Sequence, residues 1–204
     1  MSKIETLAIY GGTFSPPHFG HIRSAEAFSR EMQPDRLLII PAAVPPHKAP
    51  VSGAKTEDRL AMCRLAFSHI PHAEISDMEL LREGKSYTVD TLRALKKKGR
   101  RIMMLLGTDM FLSLDTWYCA EEIFSLSEIA VIRREDDKEI SGRLKKTAEE
   151  YREKHGACTH FIKTEPFEIS STVLRDRIAR GMSVSQYLPE AVEEYIRKCR
   201  LYQS

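Results

Sequence analysis

No run of apolar residues in this sequence approaches the ~20 that a membrane-spanning helix requires. Met1–Ile9 contains Lys3 and Glu5 and no long apolar segment, so no membrane association is expected and a cytoplasmic location is. Cysteine is sparse: Cys63, Cys119, Cys158 and Cys199 are scattered without a C-x-x-C pair, which argues against a disulfide framework or a zinc knuckle and leaves reduced thiols. His155, Cys158 and His160 are close in sequence, yet no fourth ligand accompanies them and Gly156 suggests a turn, so a metal site is not expected there. Charge of one sign is also missing. With 31 basic and 29 acidic residues the net charge is +2, too little for a general nucleic-acid or membrane-surface binder, and any anion site must be local. Neither an internal repeat nor a low-complexity linker interrupts the chain. Its 204 residues, 42% of them hydrophobic, suffice for one domain, residues 1–204, with a full core.

What is present is concentrated in one stretch. Gly11-Gly12-Thr13-Phe14-Ser15-Pro16-Pro17-His18-Phe19-Gly20-His21 follows directly on the apolar run Leu7-Ala8-Ile9-Tyr10. The run reads as a buried parallel strand, and Ile22 to Met32 as the helix after it, which puts the loop at a strand-to-helix junction, where α/β folds bind nucleotides. Gly11 and Gly12 lack a Cβ, so backbone N–H groups can approach a phosphate closely, and a helix beginning near Gly20 adds its positive end. The Lys-Ser/Thr ending of a Walker A loop is absent, so phosphate contact falls to other side chains, with His18 and His21 the candidates. Singly, a Gly-Gly turn or a histidine at a helix start also fits plain turn-making or capping. The H-x-x-H pair behind Gly-Gly-Thr-Phe and two prolines is far more specific.

Further along, Arg36 to Ile40 reads as a second buried strand closed by Pro41. The loop after it, Pro41 to Pro50, is stiffened by four prolines and presents His47 and Lys48 at the same strand end as the first loop, if the sheet is parallel. Thr56 to His69 is an amphipathic helix capped at or near Thr56, and Ala73 to Ser76 a short strand. Thr88 is placed to cap a helix running to about Lys98 and stopping before Gly99. Arg101 to Leu106 is the most apolar strand, hence central, and it ends in Gly107-Thr108-Asp109. A short acid there can accept hydrogen bonds from ribose hydroxyls or cap the next helix. Trp117, the only Trp, fits the core or an aromatic face for a ring. Ile129 to Ile132 is a strand, Ser141 to Glu153 a charged surface helix, and Phe161-Ile162 a last short strand. Ser170, Ser171 and Thr172 stand at a helix start with Arg175 one turn later on the same face, a pattern that serves capping or phosphate binding. Leu188-Pro189 opens a final amphipathic helix through Lys198. Alternation of strands and helices with right-handed crossovers predicts a Rossmann-like α/β fold, a three-layer parallel sheet (core about 4–165) with a helical C-terminal part (about 166–204).

Five separated segments of the sequence resemble the HxGH nucleotidylyltransferase superfamily, and within it the branch of bacterial nicotinate mononucleotide adenylyltransferases. They are the first loop with His18 and His21; Pro45-Pro46-His47-Lys48; Ser86-Tyr87-Thr88-Val89-Asp90-Thr91-Leu92; Gly107-x-Asp109 followed by Trp117; and Ile169-Ser-Ser-Thr-x-Leu-Arg175. Ser15 departs from the Asp many relatives carry, which bears on loop rigidity more than on chemistry. The resemblance implies transfer of the adenylyl group of ATP to nicotinate mononucleotide, with deamido-NAD and pyrophosphate as products and Mg²⁺ carried on the ATP phosphates rather than by protein ligands. It implies ATP contacts at Gly11, Gly12, Thr13, Phe14, His18, His21, Gly107, Asp109, Ile169, Ser171, Thr172 and Arg175. Contacts to nicotinate mononucleotide are implied at Thr13, Phe14, His47, Lys48, Tyr87, Thr88 and Trp117. His18, His21, Lys48 and Arg175 would carry the chemistry. Other members of the superfamily, acting on phosphopantetheine or a polyol phosphate, and a non-catalytic nucleotide-binding domain are the alternatives. The oligomeric state, a homo-oligomer included, is left open.

Overall fold

The computed structural model of the chain describes residues 4–44, 53–132, 138–164, 167 and 169–203. Six parallel strands form one sheet: β1 (Glu5–Gly12), β2 (Arg36–Pro41), β3 (Ala73–Ile75), β4 (Arg100–Gly107), β5 (Glu128–Ile132) and β6 (Thr159–Ile162), in the order β3-β2-β1-β4-β5-β6. The helices are α1 (Phe19–Met32), α2 (Thr56–Phe67), α3 (Thr88–Leu95), α4 (Thr108–Leu112), α5 (Ala120–Leu126), α6 (Lys138–His155), α7 (Ser171–Ala179) and α8 (Glu190–Lys198).

Side chains alternate across each strand, so the sheet feeds two cores. Ala8, Tyr10, Leu37, Ile39, Met103 and Leu105 meet Phe28 of α1, Met62 and Phe67 of α2, Leu174 of α7 and Ile196 of α8. Leu7, Ile9, Leu38, Ile40, Met104 and Leu106 meet Leu92 of α3, Phe111 of α4, Phe124 of α5 and Leu144 of α6. Because both faces are covered, the four inner strands β2, β1, β4 and β5 read as largely apolar runs, as expected of a parallel sheet, whereas the edge strands β3 and β6 carry Glu74 and His160.

The order has one reversal. The chain runs outward from β1 to β2 and β3, then returns to place β4 on the other side of β1. At such a switch point the loops leaving the two strands diverge and open a crevice at their carboxyl ends. Gly11-Gly12 of β1 and Gly107 of β4 end there.

Several expected boundaries shift. Tyr87, not Thr88, is the N-cap of α3, and that helix stops at Leu95 because Lys96 turns to extended backbone, ψ 128°. Lys55 rather than Thr56 precedes α2, where the Asp58 carboxylate accepts the Lys55 N–H at 3.0 Å. Between β4 and β5 the chain forms α4, the short helix expected after Gly107, and then a 3₁₀ turn at Leu114–Thr116 and α5, which were not anticipated.

Candidate active site

The crevice is a cleft of about 920 Å³. The first loop and α7 line it, as do the start of α3 and Trp117, with Gly107 at the end of β4 and Thr108 and Asp109 at the start of α4.

The two histidines are oriented by the helix they begin. His18, buried and extended in backbone, is the N-cap of α1, and its Nδ1 accepts the Gly20 N–H at 3.1 Å. His21 Nδ1 in turn accepts the His18 N–H at 3.2 Å. Each ring has therefore committed Nδ1 as an acceptor, which places the proton of the neutral imidazole on Nε2. The rings lie 3.8 Å apart between centroids, and both line the cleft. Gly20 permits this packing: a Cβ there would sit 3.0 Å from the His18 ring. Gly12 is small for a similar reason, since its Cβ would meet the Phe14 ring at 2.9 Å, whereas a Cβ on Gly11 or Gly107 would point into open space.

The loop is clamped by two arginines. Arg59 of α2, 5% exposed, donates to the Thr13 carbonyl at 2.9 Å, and burial pulls its pKa down against nearby groups that favour the charge. Because the peptide bond is planar and trans, fixing that carbonyl turns the Phe14 N–H the opposite way. Phe14 itself sits at φ 47°, in the left-handed region, where its ring packs edge-on against Tyr10, His21 and Phe67. Arg175 of α7 donates to the Ser15 carbonyl at 2.9 Å and to the Thr172 hydroxyl at 3.1 Å. The Ser171 hydroxyl donates to the Pro16 carbonyl at 3.0 Å, and Ser170 is the residue that caps α7, accepting the Val173 N–H. The Ser15–Pro16 bond is cis. Ser15 bears on rigidity through a contact that a local motif does not show: its hydroxyl lies 2.9 Å from Tyr202 Oη near the far end of the chain.

Thr88 is the first residue of α3 and lines the cleft, as does Trp117, which follows the 3₁₀ turn half-buried against Leu114 and its neighbours. Tyr87 does not line the cleft; its ring packs on Tyr118 at 4.7 Å. Asp109 lies exposed in the first turn of α4 and makes no side-chain cap bond there, so capping is not its role in this structure. Every other residue expected to bind substrate lines the cleft, except His47 and Lys48, which lie outside the described residues.

Sequence reading missed a buried acid beside the start of α3. Glu79, 7% exposed, accepts the Thr91 hydroxyl at 2.6 Å and a bond from Ser86, and burial raises its pKa while those hydroxyls and Arg82 pull it down. Ser86 Oγ also accepts the Ala43 N–H at 3.0 Å, so Glu79 ties the start of α3 to the loop leaving β2. Arg59 was missed as well, because a charge on an amphipathic helix gives no sign of turning inward.

The Cytidylyltransferase-like family profile matches residues 9–177. A probable nicotinate-nucleotide adenylyltransferase of Desulfatibacillum aliphaticivorans is 35% identical over 96% of this chain and 99% of its own length. One of Geobacter sulfurreducens is 38% identical over 95% and 96%. The solved structure of Plasmodium falciparum nicotinic acid mononucleotide adenylyltransferase complexed with NaAD has a TM-score of 0.78 over 97% of both chains; at 17% identity it supports the fold alone. The family match runs from the strand before the histidine pair into α7, and the relatives extend the likeness over nearly the full length: the chain belongs to the Cytidylyltransferase-like family and, within it, to the nicotinate-nucleotide adenylyltransferases.

Proposed function

We infer that the chain transfers the adenylyl group of ATP to nicotinate mononucleotide, releasing pyrophosphate and forming deamido-NAD. The observation that carries this reading is the pair of imidazoles held as Nε2 donors at the switch point, facing a cleft that a phosphate-type helix start and Trp117 also line. An oxygen of the nicotinate mononucleotide phosphate attacks the α-phosphorus of ATP as the bond to the bridging oxygen of the β-phosphate breaks. The attacking phosphate is already an anion, so no base is needed, and catalysis rests on positioning and charge neutralisation.

In this reading His18 and His21 donate to the α-phosphate as charge builds there. Ser171, Thr172 and Arg175 hold the β and γ phosphates, with Ile169 beside them, and stabilise the departing pyrophosphate. Gly11, Gly12, Thr13 and Phe14 approach the phosphates with backbone, and Gly107 and Asp109 take the ribose. Thr88 and Trp117 receive the pyridine carboxylate and ring, with Tyr87 at the rim. Lys48, with His47, is assigned the attacking phosphate on sequence grounds alone. Mg²⁺ belongs to this reading as part of the ATP complex, where it would neutralise triphosphate charge. The side chains assigned to the phosphates are imidazole, hydroxyl and guanidinium, which suits an ion carried by phosphate oxygens and water rather than by carboxylates. We take residues 1–204 as one domain, in which the helical C-terminal part (about 166–204) adds α7 to the cleft that the first loop of the sheet core (about 4–165) lines. On this reading the protein works in the cytoplasm, beside its substrates.

The test is pyrophosphate release from ATP in the presence of nicotinate mononucleotide, phosphopantetheine or a polyol phosphate. Sustained release with the first alone is expected. Release only with another acceptor, or none with any, would overturn the reading.

A further inference from the structure

We propose that Glu128, Cys158 and His160 form a binding site for a divalent cation of the zinc type at the amino-terminal edge of the sheet, on the rim opposite the adenylyl-transfer cleft. The chain brings together a donor set that sequence spacing hid. Glu128 opens β5, and His160 lies in β6 in register with Ala130. The Ile129 N–H donates to the Cys158 carbonyl at 2.9 Å, so the backbone ladder fixes the two strands where the three side chains meet. His160 Nε2 lies 2.7 Å from Glu128 Oε2 and 3.4 Å from Cys158 Sγ, and one donor atom from each residue falls within 4.8 Å of the others. His155, the nearer histidine in sequence terms, is not part of it: its ring stacks on Phe124 at 4.7 Å.

Imidazole nitrogen, thiolate sulfur and carboxylate oxygen are the donors that zinc-type ions select, and three protein ligands with one position left for water is the pattern of an open site. Binding exchanges the His160–Glu128 hydrogen bond for three metal bonds, releases the Cys158 proton to solvent and takes the proton off His160 Nε2, which the neutral ring then carries on Nδ1. Cys158 is exposed, so an ion reaches the site without rearrangement of the sheet. Arg101 forks Glu128 and acts in two directions. It orients the carboxylate, as outer-shell partners of metal ligands do, and its positive charge makes the site weaker than a closed four-ligand centre. The bound ion would pin edge strand β6 to β5.

Titration of Co²⁺ into the reduced full-length protein tests this. A thiolate-to-cobalt charge-transfer band saturating at a single equivalent is expected, with Zn²⁺ displacing the cobalt and raising Tm as its concentration rises. Cys158→Ser should abolish the band and the Zn²⁺-dependent rise. His160→Ala should weaken binding by more than the ~10- to 100-fold that loss of an outer-shell partner costs. Cys199→Ser, a distant exposed cysteine, should leave both readouts intact. No band with wild type, a band that survives Cys158→Ser, or one lost in Cys199→Ser would overturn the proposal.

Discussion

Arg175 reaches the Ser15 carbonyl and the Thr172 hydroxyl at 2.9 and 3.1 Å from the first turns of α7, a span that uses both terminal nitrogens of the guanidinium. Lysine keeps the charge and loses the fork, so Arg175→Lys is expected to cost about 1–3 kcal/mol in transition-state binding, roughly 5- to 150-fold in kcat/KM for ATP. Unchanged kcat/KM would show that the fork has no part in the reaction. Glu79 gives a prediction in pH. Its carboxyl ionises near 4.5 when solvated and higher in the fold, chiefly through burial. A raised folded value contributes stability that is full below 4.5 and is lost as pH rises through the folded value. Glu79→Gln cannot ionise, so thermal unfolding followed upward from pH 4.5 should show wild type losing Tm relative to the variant as pH climbs. Parallel profiles would contradict this. At this scale the sequence was informative where residue types are unusual together, as with His18 and His21. It was silent on Glu79 and Arg59, whose burial depends on which distant segment covers them.

At the scale of elements, the proposed function gives the choice of substrate to the start of α3. Thr88 is its first residue rather than its cap, so the helix begins one residue earlier than the sequence suggests, and the positive end still meets the cleft. The dipole is worth ~0.3–1 kcal/mol, up to ~2 when partly buried, and a hydrogen bond to a charged group ~1.5–3. After carboxylate desolvation, a net ~2–4 kcal/mol remains, or roughly 30- to 1000-fold in kcat/KM for nicotinate over nicotinamide mononucleotide. Thr88→Ala should shrink that ratio, whereas Trp117→Ala should weaken both substrates and leave it unchanged. A wild-type ratio near one would refute the helix-start explanation. All six strands were legible: β1, β2, β4 and β5 as largely apolar buried runs, and the short edge strands β3 and β6 as apolar residues between turn signals. The 3₁₀ turn and α5 were not, since the break before α5 falls at Cys119, φ 54°, a residue type that gives no signal of a left-handed turn.

Over the whole molecule, the C-terminal segment reaches back to the first loop. Tyr202, 4% exposed, places its hydroxyl on Ser15 Oγ, and its N–H donates to the Gly53 carbonyl, where a Cβ on Gly53 would meet the Tyr202 ring at 2.9 Å. Tyr202→Phe removes the hydroxyl and strips the buried Ser15 of that partner, for which a loss of ~1–3 kcal/mol in unfolding free energy is expected. An unchanged denaturant midpoint would show that the contact does not stabilise the loop. A three-layer parallel sheet was readable from alternation, but the pairing of β1 with β4 was not, because strands so far apart leave no local trace. That pairing makes the cleft in which the histidine pair faces the proposed triphosphate. Steady-state turnover of His21→Ala beside wild type, with ATP and nicotinate mononucleotide, tests that placement most directly. A fall in kcat of roughly 10²–10³ with KM for ATP nearly unchanged is predicted, as loss of one preorganised donor produces elsewhere. Near-normal turnover of the variant would contradict it.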